Sequence, residues 1–314
     1  MKIGLIDVDG HRNKKTGIQF PNIALMKVSN YYKQLGNEVE HANFGHYDKL
    51  YISKLFNFTP EIDLNVGFIS ANEIYKGGTG YDIKKRLPLD IEVCDPDYSV
   101  YPDCDFSVQF FSRGCIRNCS FCVVREKEGF IMPQKPMNLN PNGKHIEILD
   151  NNFFANPEWK IAIDYLLDKK QPVNLHGVDV RIMNEEQAYW LNKLKHLKQI
   201  HIAWDFPKID LVPQITEMTK HVKPYKIMCY VLIGFNSTPE QDLYRVEKLR
   251  ELKIDPFVMP FDKSDPYQKR FARWVNHKAI FKTVKWSEYK ATPHSAFDKR
   301  GVGSECGVLS SVCP

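Results

Sequence analysis

Apolar residues in this chain come in short bursts, separated by stretches whose apolar positions recur at helical spacing. Lys2–Val8 is apolar and rich in β-formers, and predicts a first strand. Pro21 opens a helical pattern carried by Ile23, Met26, Val28, Tyr31 and Leu35 and closed by Gly36, with Pro and Gly at the ends where helices favour them. Strands are expected at Glu38–Ala42, Leu50–Phe56 and Val66–Ser70. This alternation implies a parallel α/β sheet, a short Rossmann-like domain over residues 1–103. A Gly-rich turn, Gly77-Gly78-Thr79-Gly80, follows, and Leu87–Cys104, with Pro88, Pro96 and Pro102, reads as a linker.

A second series starts at Phe106. Strands are predicted at Val108–Ser112, His145–Leu149, Val173–Leu175, His201–Trp204, Lys226–Ile233 and Asp255–Pro260. Helices are predicted around Pro157–Asp168, Asn184–His196 and Thr238–Leu252, the last capped by Ser237 or Thr238 with Glu240 in its first turn. Six strands with intervening helices predict a partial (β/α)6 barrel over residues 104–265, with function at the C-terminal strand ends. Residues 266–314 form a C-terminal helical extension and a Gly/Ser-rich tail. Within it, Tyr267–Tyr289 is basic and aromatic. It reads as an amphipathic helix docked through Phe271, Trp274, Ile280 and Phe281, or alternatively as a nucleic-acid clamp.

Composition narrows the class. With 43% hydrophobic and 26% charged residues the chain is neither disordered nor short of core material. No stretch approaches the roughly 20 apolar residues of a membrane span, and the first strand meets an acid at Asp7, unlike a signal peptide. A cytoplasmic protein without membrane contact is expected. The formal charge of +5 permits an anionic substrate or nucleic acid without arguing for either. Eight cysteines in such a chain point to metal or catalysis before disulfides.

Three of them, Cys115, Cys119 and Cys122, form C-x3-C-x2-C directly after a predicted strand. Three thiolates leave one iron of a [4Fe–4S] cube without a protein ligand, a vacancy where substrate can bind. Structural zinc would want a fourth ligand, usually from a second C-x2-C pair, and none is nearby in sequence. The spacing, the aromatic Phe121 before the last cysteine and the position after the first barrel strand together resemble the radical S-adenosylmethionine (radical SAM) superfamily, over roughly Phe106–Asp262. The resemblance implies a cluster whose open iron chelates the amino and carboxylate groups of S-adenosylmethionine. It also implies an external one-electron reductant of flavodoxin or ferredoxin type, and a 5′-deoxyadenosyl radical that abstracts a substrate hydrogen. Tyr230–Phe235 resembles the family's fifth-strand motif, placing Ile233 and Gly234 along the adenine; Asn236-Ser237-Thr238-Pro239-Glu240 departs from the usual continuation. The polar run Glu147–Phe153 ends the second strand, where Asp150 is a candidate for the amino group. Arg181 ends the third and is a candidate for the carboxylate, and Asp205 ends the fourth and is a candidate for ribose or substrate.

The first domain echoes, more loosely, cobalamin-binding domains. Ser53-Lys54-Leu55 and Gly77-Gly78 resemble their Ser-x-Leu and Gly-Gly elements, and Asp9–Lys14 begins like Asp-x-His-x-x-Gly but lacks the glycine. A scaffold that keeps the sheet without the corrin is preferred. Of the other thiols, Cys229 reads as core. Cys94, Cys104, Cys306 and Cys313 read as unrelated, a second cluster being the alternative. The expected function is hydrogen abstraction from a substrate, with a nucleotide or RNA base first in order. Peptide modification, cobalamin-assisted methylation and a non-catalytic iron–sulfur or zinc sensor follow.

Overall fold

The computed structural model describes residues 1–10 and 17–290. The chain begins with β1 (Lys2–Asp7), α1 (Ile23–Gln34), β2 (Glu38–His41), β3 (Gly45–Ser53) and β4 (Ile69–Gly77). They form a parallel sheet of order β2-β1-β3-β4. Asn22 caps α1 by accepting from Leu25 N, and its amide donates to Ser53 Oγ at 2.8 Å, so the helix start is tied to the end of β3. Leu25, Met26 and Val28 of α1 pack on Ile3 and Leu5 of β1, as the helical spacing predicts.

Two strands differ from expectation. The third begins at Gly45 and stops at Ser53, short of Leu55 and Phe56. The fourth is not Val66–Ser70, because a turn at Asn65–Phe68 occupies that run, with Phe68 at φ 49°. The strand is Ile69–Gly77, at the sheet edge, with most of its side chains exposed.

The proline-rich segment is a packed element, not a loose connection. It contains α2 (Leu89–Glu92), and Ile91, Tyr98, Val100, Tyr101 and Cys104 are buried with Ile3, Leu5 and Leu25. Asp97 fastens it to α1, accepting from Ser29 Oγ at 2.7 Å and Lys33 Nζ at 2.8 Å.

Next come β5 (Ser107–Gln109), β6 (Ser112–Arg113), α3 (Val124–Glu128), β7 (Met132–Pro133) and β8 (Ile146–Ile148). They are followed by α4 (Trp159–Lys169), β9 (Val173–Leu175), α5 (Glu185–Lys193), β10 (Ile200–Ala203), α6 (Val212–Thr219) and β11 (Ile227–Ile233). The remaining elements are α7 (Pro239–Glu251), β12 (Asp255–Pro260), α8 (Pro266–Asn276) and α9 (Lys278–Thr283). Two parallel three-stranded sheets result, β5-β8-β9 and β10-β11-β12, each in chain order, and a single bridge from Val178 to Ile202 joins their neighbouring edges. Thr238 caps α7 in a reciprocal capping box with Gln241, and Asn184 does the same for α5 with Gln187.

The basic, aromatic segment is α8 and α9. Phe271, Trp274 and Phe281 are buried, and the partly buried Trp286 packs on Phe271 and Trp274, so the segment is docked through these rings. Among the described residues, no helix is long and apolar enough to cross a membrane.

Candidate functional site

The cysteine loop rises from a small hairpin in which β6 pairs antiparallel with β7. Gly114 sits at φ +81°, and a Cβ there would collide with Phe130 O, so this turn excludes any side chain. Glu128 closes the loop, accepting from Arg113 Nη2 at 2.5 Å, Gly114 N at 2.9 Å and Asn151 Nδ2 at 2.8 Å. Arg125 donates to Cys115 O at 3.0 Å, and Arg117 N donates to Cys115 Sγ at 3.3 Å.

Cys115, Cys119 and Cys122 are half-buried, in no disulfide, and line one cavity of about 160 Å³. Burial pushes the Cys119 and Cys122 thiols up, and the Arg181 guanidinium beside Cys119 opposes that rise. Among the described residues, no three His, Cys, Asp or Glu side chains converge on the position of a single metal ion.

The rest of the wall comes from β10, from the segments that follow β8, β9 and β10, and from the middle of β11. It includes Asn152, His176, Asp179, Arg181, His201, Asp205 and Tyr230. Asp179 accepts from Arg181 Nε at 2.6 Å and Arg181 Nη2 at 3.0 Å, and from Arg117 Nε at 3.1 Å. Arg117 therefore points inward from the cysteine loop. Burial alone would raise the Asp179 carboxyl, but the two guanidinium groups hold it below the ordinary range. Phe121 packs on Phe206 and Phe235, with centroids 5.6 and 5.3 Å away, and Arg181 lies over Phe206.

Four buried polar atoms on this wall have no hydrogen-bond partner: Asn152 Oδ1, His176 Nδ1, His201 Nδ1 and Asp205 Oδ1. Four of the ten such atoms among the described residues belong to residues lining this one cavity. Burial raises Asp205 to about 6, against the pull of the Leu232 N–H, Arg181 and Arg245.

Three sequence candidates stand apart from the wall. Asp150 is buried and both its oxygens are taken, by Phe111 N at 2.8 Å and Ser112 Oγ at 2.5 Å; it anchors the chain entering the cysteine loop. Burial raises its carboxyl to about 6. Ile233 O accepts from Phe261 N at 3.0 Å, and Gly234 N donates to Ser237 Oγ at 3.0 Å. Gly234, at φ +76°, lies against the Gln268 side chain.

In the first sheet, Ser53-Lys54-Leu55 and Gly77-Gly78 lie together, Gly78 packing on the Lys54 backbone. Asp9 accepts from Leu55 N and from Thr59 Oγ1, the latter at 2.5 Å. His11, Arg12, Asn13 and Lys14 of the looser resemblance lie outside the described residues, as do Cys306 and Cys313. Cys94 is half-buried, with its thiol donating to Asp90 O; Cys104 is buried in the first core, donating to Phe106 O; Cys229 is fully buried in β11.

The residues that sequence reasoning passed over are the polar centres of three consecutive strands. Ile146-Glu147-Ile148, Val173-Asn174-Leu175 and Ile200-His201-Ile202 each place one polar side chain between two apolar ones. With a two-residue period, the apolar pair faces the helices and the polar residue faces the opposite side. That repeated pattern was the available signal. No protein-family model matches the chain, and no curated protein matches it.

Proposed function

We propose that this protein is a radical SAM enzyme, with Cys115, Cys119 and Cys122 as the ligands of a [4Fe–4S] cluster and the cavity they line as its reaction chamber. The observation that carries the reading is the meeting, on one cavity, of the C-x3-C-x2-C thiols with four unpartnered buried polar atoms from β10 and the segments that follow β8, β9 and β10. The serial order of the two sheets and the Val178–Ile202 bridge support a partial barrel, and the four-stranded parallel sheet supports a Rossmann-like first domain.

The donor set suits the group. Three thiols lining one cavity match in number the ligands of a [4Fe–4S] cluster that keeps one iron open, whereas structural zinc takes four. When bound, the cluster would supply the single electron that cleaves S-adenosylmethionine. This chain's own residues bind and shield. Arg117 and Arg181 share the single Asp179 carboxylate, which leaves one guanidinium charge of this group for a substrate carboxylate. Asp205 Oδ1 and Asn152 Oδ1 present acceptors for amino or hydroxyl donors. Phe121, Phe206 and Phe235 form an apolar wall that keeps water from the reacting centre. An external one-electron donor of flavodoxin or ferredoxin type completes the scheme.

The test is metal content after anaerobic preparation. About four irons with matching sulfide per chain are expected, lost when all three cysteines become alanine. Stoichiometric zinc without iron would overturn the proposal.

A further inference from the structure

Behind the cavity wall lies a polar array at mid-height of the strands. Glu147 of β8 is buried, and its Oε1 accepts from His145 Nε2 at 3.0 Å. Its Oε2 accepts from His176 Nε2 at 2.5 Å and from Asn174 Nδ2 at 2.8 Å. The His201 ring lies beside His176, with centroids 6.4 Å apart, and Tyr230 lies 5.4 Å beyond it. Closed barrel-type interiors are ordinarily filled by branched apolar side chains. Here the branched residues of the same strands, Ile146, Ile148, Val173, Leu175, Ile200 and Ile202, belong to the core under the helices.

The array is not a self-satisfied structural network. His176 Nδ1, Asn174 Oδ1 and His201 Nδ1 are all buried without a partner. Each costs its desolvation, so three in one array is more than a network kept only for stability would carry. The hydrogen bonds also fix the chemistry of His176. Burial would raise Glu147, but its bonds from His145 and His176 hold it down to about 2, so it is an acceptor. The 2.5 Å contact with Glu147, shorter than the 3.2 Å contact of Asn174 Nδ2 with the same nitrogen, assigns the His176 proton to Nε2, and Nδ1 of this cavity-lining residue is left without a partner.

We propose that His176 is a base acting on substrate in this cavity, taking a proton from a hydroxyl or amine group, and that Glu147 is its positioning residue. In the step, the substrate O–H or N–H bond breaks heterolytically and its electron pair stays on oxygen or nitrogen. The proton passes to His176 Nδ1, and the imidazolium formed is balanced by the Glu147 carboxylate against Nε2–H. His201, pushed by burial down to about 4, stays neutral beside it. With Asn152 Oδ1 and Asp205 Oδ1 also presenting acceptors, the substrate class is a small molecule rich in donors, a polyol or an amino alcohol. This rests on the reading of the cavity as a reaction chamber.

The test is long-range ¹H–¹⁵N spectroscopy of the histidines in the full chain, with His176→Asn for assignment and glycerol and 2-aminoethanol as probes. The expected result is His176 protonated on Nε2 with a bare Nδ1, whose ¹⁵N resonance moves when either probe is added. Glu147→Gln should shift protonation toward Nδ1 and abolish the probe response, and Glu147→Asp should restore part of it. A wild-type His176 protonated on Nδ1, or a wild-type Nδ1 resonance that neither probe moves, would overturn the proposal even if the Glu147 variants fail to fold. Iron content and S-adenosylmethionine cleavage in the same preparation are separate readouts. A null probe result with cleavage intact sinks this proposal alone, and absent iron with a positive probe response sinks only the cluster.

Discussion

Arg245 is fully buried in α7, and its guanidinium holds the strand end that carries Asp205. Nη1 donates to Trp204 O at 2.7 Å and to Asp205 O at 3.3 Å, and Nη2 donates to the buried Asp242 Oδ1 at 2.6 Å. Arg245→Leu would strand the Asp242 carboxylate and two buried carbonyls. Breaking one side of a buried ion pair costs about 3–5 kcal/mol. The double variant Asp242→Leu/Arg245→Leu removes both charges and should lose less than the single one, because no charge is left uncompensated. Urea unfolding followed by circular dichroism measures both. With a slope of about 3 kcal/mol/M, the single variant's midpoint should fall by about 1 M or more. A single variant losing under about 1 kcal/mol, or a double variant as damaged as the single one, would refute the reasoning that this pair is a fully desolvated clamp.

Asp205, raised to about 6 from 3.8, favours its protonated form when folded; its stabilising contribution is fully present below about pH 4 and is lost as pH rises through 6. Wild type should therefore gain stability relative to Asp205→Asn on acidification, by up to about 3 kcal/mol between pH 8 and 4; a difference that stays flat with pH in chemical denaturation would contradict this. Trp274→Ala should cost about 3–5 kcal/mol in the same unfolding assay, since Trp274 is buried against Phe271, Phe281 and Trp286, and a cost under about 1 kcal/mol would argue that α8 is not docked. Arg181→Ala should weaken S-adenosylmethionine binding more than Arg117→Ala, by about tenfold to a hundredfold in titration calorimetry, because the Arg181 guanidinium lies beside the Cys119 thiol; equal affinities would count against it.

Much of the second half was legible because local rules agreed with the fold. Pro239 with Thr238 before it and Gln241 after it announces a capped helix, and Asp255–Pro260 stands in the structure as read. The fourth strand of the first sheet was hidden because Ile69–Gly77 is an exposed edge, with Glu73, Tyr75 and Lys76 toward solvent, so neither face carries an apolar stripe. Leu87–Cys104 reads as a linker by its prolines, yet Tyr98 and Tyr101 bury their rings and find polar partners, Tyr98 accepting from Val108 N and Tyr101 donating to Asp7. Proline punctuates regular structure without preventing burial. In the candidate site, the thiols were legible from spacing alone. Asp150 could not be told from a ligand-facing acid, because the bonds that occupy it come from Phe111 and Ser112, distant in sequence. The Glu147–His176 contact likewise joins two strands and exists only once they are side by side.

The most direct test of the central claim is the product formed from S-adenosylmethionine by the anaerobic, iron-loaded protein with a one-electron reductant. The account predicts 5′-deoxyadenosine and methionine in equal amounts, both lost when Cys115, Cys119 and Cys122 are replaced by alanine. Recovery of S-adenosylmethionine unchanged from iron-loaded, reduced protein, or its conversion to S-adenosylhomocysteine alone, would contradict it.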